Sequence, residues 1–419
     1  MDQIESTLQK SRNELQKSRK DASRHEYIQE QALGRIERVT RQLGATTSGA
    51  LWLERRAPVD SASPARPSSV LFVTSNGGGM GHIARCAAVM RHGSGRILTL
   101  STAADLVASS GLDVRYFPSQ SHSSRGAERW HRQFMRRLLE EVSELEPSTI
   151  VFDGTWVYPA LTDVAELADI PLVWLRRGLW RQGVDLTQVE SWSEHVTSVV
   201  TPRDVAEDEL SAPTSFRDAA WCDPISLASD GRFERGEALE RLGLDPGREH
   251  ALVQVSGGNG SGEAMGRALD AVRDSARDVT PVVVRSPLMT AAVPAGAKAI
   301  DARFPLVDFS AAWSFTITGA GYNSVHENLH TSTPGIYLPS ATTLTDDQVA
   351  RARAMHDGGW GVLADGAAGL PDAVRELVDA ERRAEITQAI RRRATPNGAR
   401  QASDYIEAID RDTQENSWV

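Results

Sequence analysis

Short apolar runs alternate with longer helical stretches from Val70 onward. The runs are rich in Val, Ile, Leu and aromatic residues, a composition that is typical of β-strands. Strands that alternate with helices in this way predict a parallel sheet covered by helices, which is an α/β fold. The predicted strands are VLFVT, RILTL, VRYF, TIVF, PLVWL and VTSVV in a first series and ALVQV, TPVVV, SFTIT and GIYLP in a second.

A segment near residue 225, DPISLASDGRFERGEALERLGLDPGRE, separates the two series and contains turn residues and one short helix. This division predicts two doubly wound, Rossmann-like domains, residues 67–225 and 226–395, that face each other across a cleft. Ligands of such sheets bind beyond the carboxyl ends of the strands. We therefore expect a functional site at the loops that follow the strands, which are SNGGGMGH, FDGTW, SGGNGSG and TGAGYNS.

The N-terminal part of the chain has a different pattern. Residues 1–45 are highly charged and lack proline, and the motif LQKSR occurs twice at a seven-residue offset, which predicts a helix. Leu8 and Leu15 share one heptad position, but serines occupy the second position that would be apolar in a coiled coil. A coiled coil and a solvated helix are therefore both possible interpretations. Residues 57–69 are rich in Pro and Ser and predict a linker. Residues 1–66 thus form a predicted extension, through which the chain could also self-associate.

Composition narrows the classes of function. The formal net charge of -10 gives no global electrostatic reason to expect a nucleic-acid partner. Cys86 and Cys222 are the two cysteines and form no metal-binding or disulfide pattern, which fits a reducing cytoplasm. No segment approaches the roughly 20 apolar residues that a membrane helix needs. We predict a cytoplasmic protein, and peripheral contact with the inner face of a membrane stays open.

The segment SNGGGMGHIARCAAVM, residues 75–90, places four glycines between a strand and a helix. Such glycines let the backbone approach a ligand, and the helix start offers unpaired N–H groups that attract anions. A dinucleotide fingerprint starting at Gly77 would require glycine where His82 stands, and the lysine of a P-loop is missing too. A tight turn alone would also explain the glycines. His82, in the first helical turn, is expected to face the cleft as an imidazole that accepts a proton.

Four segments resemble the GT-B glycosyltransferases. The GHI loop is similar to their glycine-histidine loop, and ITGAGYNSVHENLHTSTPGIYLPSATTLTDDQ, residues 317–348, resembles the donor signature of the UDP-glycosyltransferase superfamily and of the bacterial transferase that adds GlcNAc to the peptidoglycan precursor. IVFDGTWVYPALTDVAELADIPLVWL is similar to their acceptor domain, and RLGLDPGREHALVQVSGGNGSG to the start of their donor domain. The resemblance implies the GT-B fold, with residues 396–419 forming a final helix that packs back across the junction.

The resemblance also implies an inverting transferase that uses a nucleotide sugar, most often a UDP-sugar, with no cofactor and no metal. Backbone N–H groups and a helix N-terminus would stabilise the charge that develops on the diphosphate leaving group. Glu327 would accept hydrogen bonds from the ribose, and Asp347 and Gln348 would hold the sugar hydroxyls. The donor-binding residues expected on this basis are Gly257, Gly258, Asn259, Gly319, Gly321, Asn323, Ser324, Glu327, Asp347 and Gln348.

For catalysis, the resemblance implies a dyad in which His82 deprotonates the acceptor hydroxyl and Asp153 orients the ring and stabilises its charged form. Asp153 ends a predicted strand, and a carboxylate that bonds its own loop is the alternative reading. The expected acceptor-binding residues are Gly78, Gly79, Arg176 and Arg177. The two arginines, within WLRRGLWRQG, could hold a phosphate or carboxylate group of the acceptor.

Several departures from the family pattern leave alternatives open. Gly319 and Tyr322 stand where plant members have histidine and tryptophan, and RFPLVDFSAA lacks the residues with which plant enzymes hold uracil, so the base of the donor is undetermined. A nucleotide-sugar 2-epimerase of the same architecture is a second hypothesis, because it eliminates and re-adds the nucleoside diphosphate. A non-catalytic scaffold that assembles through the N-terminal helix is a third.

Overall fold

Two parallel β-sheets, one from each series of strands, organise the computed structural model of the protein. The structure describes residues 69–75, 79–123, 126–206, 219–229, 232–255, 261–285, 293 and 296–416, which all belong to one unit. The predicted extension and linker at residues 1–66 lie outside the described residues. The same holds for Gly78, Gly257, Gly258 and Asn259.

The first sheet contains seven parallel strands in the order β3-β2-β1-β4-β5-β6-β7. Its strands are β1 (Val70–Thr74), β2 (Gly95–Thr99), β3 (Val114–Tyr116), β4 (Thr149–Asp153), β5 (Leu172–Leu175), β6 (Ser198–Pro202) and β7 (Ala220–Cys222). The central strands β1 and β4 are buried along their whole length. This burial explains their continuous apolar sequences, because helices cover both faces of a parallel sheet.

In the described part of the first half, five α-helices follow these strands. They are α1 (Gly81–Met90), α2 (Ala104–Ala108), α3 (Ala127–Leu145), α4 (Pro159–Ala168) and α5 (Thr187–Ser193). Helix α1 is buried on nearly all sides from Ile83 to Met90, so its first turn is the part that is open to a ligand. Helix α3 buries a stripe at helical spacing and exposes its charged face, as its amphipathic sequence predicts. The stripe consists of Trp130, Phe134, Leu138 and Val142.

The second sheet contains six parallel strands in the order β10-β9-β8-β11-β12-β13. Its strands are β8 (Glu249–Gln254), β9 (Val279–Arg285), β10 (Lys298–Asp301), β11 (Phe315–Thr318), β12 (Gly335–Tyr337) and β13 (Val362–Leu363). Its helices are α6 (Arg235–Leu242), α7 (Ser261–Ser275), α8 (Tyr322–Thr331), α9 (Gln348–Asp357), α10 (Leu370–Val378) and α11 (Ala380–Arg393). In both sheets the first and fourth strands of the series are neighbours, which is the doubly wound order. The predicted α/β fold is confirmed.

Three strands were not predicted from the sequence: β7, β10 and β13. All three lie at sheet edges and have two to four residues each. Their sequences, AWC, KAID and VL, are too short to show the apolar run of a buried strand. None of the described helices combines the length and the apolar composition that a membrane crossing requires.

The final helix, α12 (Ala399–Asn416), packs against α1 in the first half, where Ala399, Ala402 and Ile406 join the buried core. The chain enters this helix through Gly398. A Cβ atom on Gly398 would lie 1.9 Å from the backbone oxygen of Asp223, so the close approach of the two backbones requires glycine.

Replacement of this glycine is expected to destabilise the protein. In Gly398→Ala, the added methyl group collides with the Asp223 carbonyl, and either the backbone or α12 must shift. We expect Tm to fall by roughly 4 °C or more. The matched control is Gly236→Ala in α6, where a Cβ meets nothing within 4 Å and helix propensity improves, so Tm should stay the same or rise. Equal Tm values for the two variants in thermal unfolding would contradict this account.

Candidate functional site

Asp153 lies at the carboxyl end of β4, beside Thr74 at the end of β1. These are the two strands between which the strand order of the first sheet reverses, and ligands of doubly wound folds bind at this switch point. The Asp153 side chain is fully buried. A buried carboxylate needs partners for its charge, so its contacts define the site.

His82, in the first turn of α1, is the first partner of Asp153. Its Nδ1 atom lies 2.7 Å from Oδ1 of the carboxylate. An ionised carboxylate accepts hydrogen bonds and donates none, so Nδ1 carries the hydrogen and the neutral ring keeps a lone pair on Nε2. Among the described residues, Nε2 has no hydrogen-bond partner, and 14% of the side chain is exposed. This ring can accept a proton from a hydroxyl that approaches Nε2.

Arg85 is the second partner, and the sequence analysis missed it. Its Nε donates to Oδ2 of Asp153 at 2.7 Å, and its Nη2 donates to Oδ1 at 2.5 Å. Arg85 follows His82 by three residues, and this helical spacing, which places both side chains on one face, is the signal that could have revealed it. Burial alone would raise the pKa of Asp153, but Arg85 and His82 hold that pKa below its usual value. The carboxylate therefore stays ionised.

The first turn of α8, in the second half, lies against the first turn of α1. The guanidinium of Arg85 lies over the Tyr322 ring, 5.3 Å from its centroid. The Tyr322 hydroxyl accepts a hydrogen bond from the backbone of Ile225, and Asn323 Nδ2 donates to the carbonyl of Gly81 at 3.3 Å. The glycine-containing turns at the starts of α1 and α8 are thus in contact through Asn323.

A buried ionic cluster around Arg351 provides a second contact between the halves. Arg351 is 1% exposed and donates to Asp204, which follows β6, at 2.8 Å. It also donates to Asp346 at 2.8 Å and to the carbonyl of Ala320 at 2.8 Å. Burial opposes the ionisation of Asp204, but Arg351 dominates and lowers its pKa. Loss of one partner would leave a buried charge unpaired, which is strongly destabilising.

Arg177 lies at a third contact between the halves. Its Nη1 donates to Thr345 Oγ1 at 3.2 Å and lies 3.7 Å from Asp346 Oδ1. Its Nη2 donates to Thr155 Oγ1 at 3.4 Å, and 20% of the side chain remains exposed. Trp156, which the sequence analysis did not select, lies next to Thr155 and is 37% exposed. The position suits a contact with an acceptor, which stays a prediction.

Arg176 does not lie at this junction. Its side chain is 1% exposed, its Nη1 donates to Ser193 Oγ at 2.9 Å, and its guanidinium lies over the Trp174 ring, 5.6 Å from the centroid. The backbone N–H of Arg176 still donates to the carbonyl of Val200 on β6 at 2.8 Å, so the alternation of side chains along the strand continues to this residue, and neighbouring side chains point to opposite sides. The expectation that Arg176 contacts an acceptor is therefore wrong.

The remaining described residues of the predicted site fall in two loops of the second half and at the start of α1. Gly319, Gly321 and Ser324 surround the N-terminus of α8, and Gly79 precedes α1. Asp347 caps α9 by accepting a hydrogen bond from the backbone of Ala350 at 2.9 Å. Gln348 accepts one from the backbone of Ser340 at 3.1 Å. Both side chains have structural roles, and donor binding by these residues stays a prediction.

Glu327 lies in the next turn of α8 after Ser324 and is half-buried. Burial, with a smaller effect of Asp308, raises the pKa of its carboxyl group to about 8. Among the described residues, no hydrogen bond to the Glu327 side chain is present. The group is therefore available to a ligand hydroxyl, and a hydrogen-bond donor there would favour its ionised form.

The fold of this chain is similar to that of several solved glycosyltransferase structures. The chain is similar to the spinosyn forosaminyltransferase SpnP (15% identity, TM-score 0.55), to the glycosyltransferase SnogD from Streptomyces nogalater (16%, 0.53) and to Acinetobacter baumannii MurG (16%, 0.52). Each match covers 82% of this chain and 100% of the other. No protein-family model and no curated protein matches the sequence. At these identities the similarity establishes the fold, and the GT-B architecture that the motifs predicted is confirmed.

The raised pKa of Glu327 predicts a pH-dependent stability. A carboxyl group whose pKa is higher in the folded protein than in the unfolded chain costs stability progressively as pH rises from its ordinary pKa, 4.5, to the folded value, here about 8. Glu327→Gln should therefore raise Tm relative to wild type by about 2 °C or more at pH 9 and by less at pH 5. The exposed control Glu263→Gln should change Tm little at either pH. A difference for Glu327→Gln that is independent of pH would contradict the assignment.

Proposed function

We propose that the protein is a glycosyltransferase that moves a sugar from a nucleotide donor to an acceptor hydroxyl, with inversion at the anomeric carbon and His82 as general base. One observation carries the proposal: the His82–Asp153 hydrogen bond of 2.7 Å lies where the N-terminal turns of α1 and α8 meet. This reaction requires a group that accepts the proton of the acceptor hydroxyl and a helix N-terminus that binds the anionic diphosphate.

In the proposed reaction, the acceptor hydroxyl gives its proton to Nε2 of His82 while its oxygen attacks the anomeric carbon. The bond between that carbon and the diphosphate oxygen breaks, and the nucleoside diphosphate leaves with the bonding electron pair. Asp153 accepts a hydrogen bond from Nδ1 and stabilises the imidazolium that forms. A single displacement of this kind inverts the configuration of the anomeric carbon.

The donor would bind to the second half. Backbone N–H groups at the start of α8, near Gly319, Gly321 and Ser324, would hold the diphosphate in place of a divalent metal, together with Asn323 and the loop containing Gly257, Gly258 and Asn259. Glu327 would accept from the ribose hydroxyls, and Asp347 and Gln348 would bind the sugar. A UDP-sugar is the donor that we favour, because it is the most frequent in the superfamily that the motifs resemble.

The acceptor would bind to the first half, near Gly79 and Arg177. Arg177 retains an exposed fraction beside the two tryptophans Trp156 and Trp180, whose ring centroids lie 6.2 Å apart. A guanidinium beside aromatic rings fits an acceptor that has both an apolar part and an anionic group. Self-association through residues 1–45, a cytoplasmic location and contact with a membrane surface belong to the same proposal and rest on the sequence alone.

The role of His82 as general base is tested by measuring the turnover of a panel of nucleotide sugars, with and without hydroxyl acceptors. The release of nucleoside diphosphate is the readout. His82→Ala should lower the rate roughly 10²- to 10⁴-fold, because no group then accepts the proton. Its donor affinity should change little. His92→Ala, an exposed histidine two residues beyond α1, is the matched control and should retain wild-type turnover.

Three outcomes would overturn parts of the proposal. Wild-type turnover in His82→Ala removes the base assignment. Conversion of a nucleotide sugar to its 2-epimer without an acceptor identifies the epimerase alternative. Calorimetry that detects no nucleotide binding favours a scaffold without catalytic activity.

Glu327 provides a separate test of the donor site. Glu327→Ala should weaken binding of the nucleoside diphosphate by about tenfold or more, because each hydrogen bond to a charged group contributes about 1.5–3 kcal/mol. Calorimetry with UDP, dTDP and GDP measures this loss of affinity and also identifies the nucleobase of the donor. Glu263→Ala, an exposed carboxylate on α7, is the control. Equal affinities for the Glu327 variant and wild type would exclude Glu327 from the donor site.

A further inference from the structure

Arg85 fixes the plane of the carboxylate that holds His82. Its Nε and Nη2 atoms contact different oxygens of Asp153, at 2.7 and 2.5 Å. The planar fork of a guanidinium matches a carboxylate in this two-point geometry, which restricts rotation of the carboxylate. The His82 ring bonds Oδ1 of the same group. The direction of Nε2 therefore depends on Arg85, although in the proposed reaction the proton moves only from the acceptor hydroxyl to His82.

Arg85 also offsets the charge of Asp153. An unpaired buried carboxylate beside an imidazole would strongly stabilise the protonated ring and remove the base. The Arg85 guanidinium, which is 6% exposed, contacts both oxygens of Asp153 and partly neutralises its charge. Asp153 therefore stabilises a protonated His82 ring less strongly. The geometry can thus hold the ring in position and still leave it able to accept a proton.

The other titratable groups around this pair do not replace Arg85. The Cys86 thiol of α1 lies 4.0 Å from Oδ2, and burial raises its pKa well above the usual value. Burial raises the pKa of Cys222 in β7 to about 12 and raises that of Tyr322 in α8 as well. All three groups are neutral near pH 7. Arg177, which also interacts electrostatically with Asp153, is engaged by Thr345 and Asp346.

Tyr322 holds Arg85 from the other half of the molecule. Its ring faces the guanidinium at 5.3 Å, a cation–π arrangement. Its hydroxyl accepts from Ile225 N at 2.9 Å and donates to the carbonyl of Arg203 at 3.3 Å, which fixes the ring. Tyr322 is also the first residue of α8, the helix at whose N-terminus the diphosphate would bind. The base and the donor helix are thus linked through Arg85 and Tyr322.

We propose that Arg85 is a positioning residue for the transfer reaction: it holds Asp153 in one orientation and limits how strongly that carboxylate stabilises protonated His82. Tyr322 keeps the guanidinium in place. The role of Arg85 in turnover rests on the proposed function, but the effect of Arg85 on the His82 ring does not require that function.

The test compares a variant that keeps the charge with one that removes it. Arg85→Lys retains a cation but loses the planar fork, so kcat should fall about tenfold or more because the His82 ring is misoriented. The KM for the donor should stay within about twofold of wild type. The acid limb of the pH profile of turnover should not change. Arg85→Met removes the charge, so the acid limb should move to higher pH by about one unit. Arg273→Met, an exposed arginine on α7, is the control and should match wild type.

The titration of the His82 ring in the ligand-free protein, followed by NMR and assigned through His82→Gln, provides a readout that is independent of turnover. Its midpoint should rise in Arg85→Met, or in Arg85→Gln if the methionine variant does not fold, and should stay near the wild-type value in Arg85→Lys. A purely structural role would reduce the folded fraction without moving the midpoint. If the midpoint of the His82 titration does not move in the charge-removing variant, the inference is overturned, even if sugar transfer is demonstrated. If the midpoint moves but no sugar transfer is found, only the proposed function is overturned.

Discussion

The buried carboxylate of Asp153 is the constraint on which the site depends. It ends the central strand β4, has no access to water and is ionised, so the surrounding residues must supply its hydrogen bonds. His82 and Arg85, one helical turn apart on α1, supply them. The same contacts determine where α1 starts relative to the sheet, which tautomer the imidazole adopts and which side of the ring is open to a ligand.

A second set of buried charges holds the two halves against each other. Arg351 lies between Asp204 of the first half and Asp346 of the second, and Arg177 contacts the loop that precedes α9. Buried ion pairs contribute little net stability because desolvation offsets their attraction, but their geometry specifies one arrangement. Here that arrangement brings the N-terminal turn of α8 to the N-terminal turn of α1. It is the spatial relation that the proposed transfer between a donor and an acceptor needs.

The sequence was sufficient for the features that rest on local pattern. Fully buried strands such as β1 and β4 have uninterrupted apolar sequences. The proximity of His82 and Asp153 follows because His82 lies in the helix after β1 and Asp153 ends the neighbouring strand β4. The short edge strands have no comparable pattern. Arg176 and Arg177 are adjacent in the sequence, and only the tertiary structure decides which one is buried. Arg351 could not be selected either, because its partner Asp204 lies 147 residues away in the chain.

The relation between His82 and Asp153 can be measured directly from the nitrogen chemical shifts of histidine labelled with ¹⁵N, in the ligand-free protein at pH 8.5. His82, assigned by loss of its signals in His82→Gln, should show a protonated Nδ1 and an unprotonated Nε2, because Asp153 accepts from Nδ1. Asp153→Ala should remove this preference. A wild-type ring protonated at Nε2 would contradict the account, since that tautomer has no lone pair facing an acceptor hydroxyl.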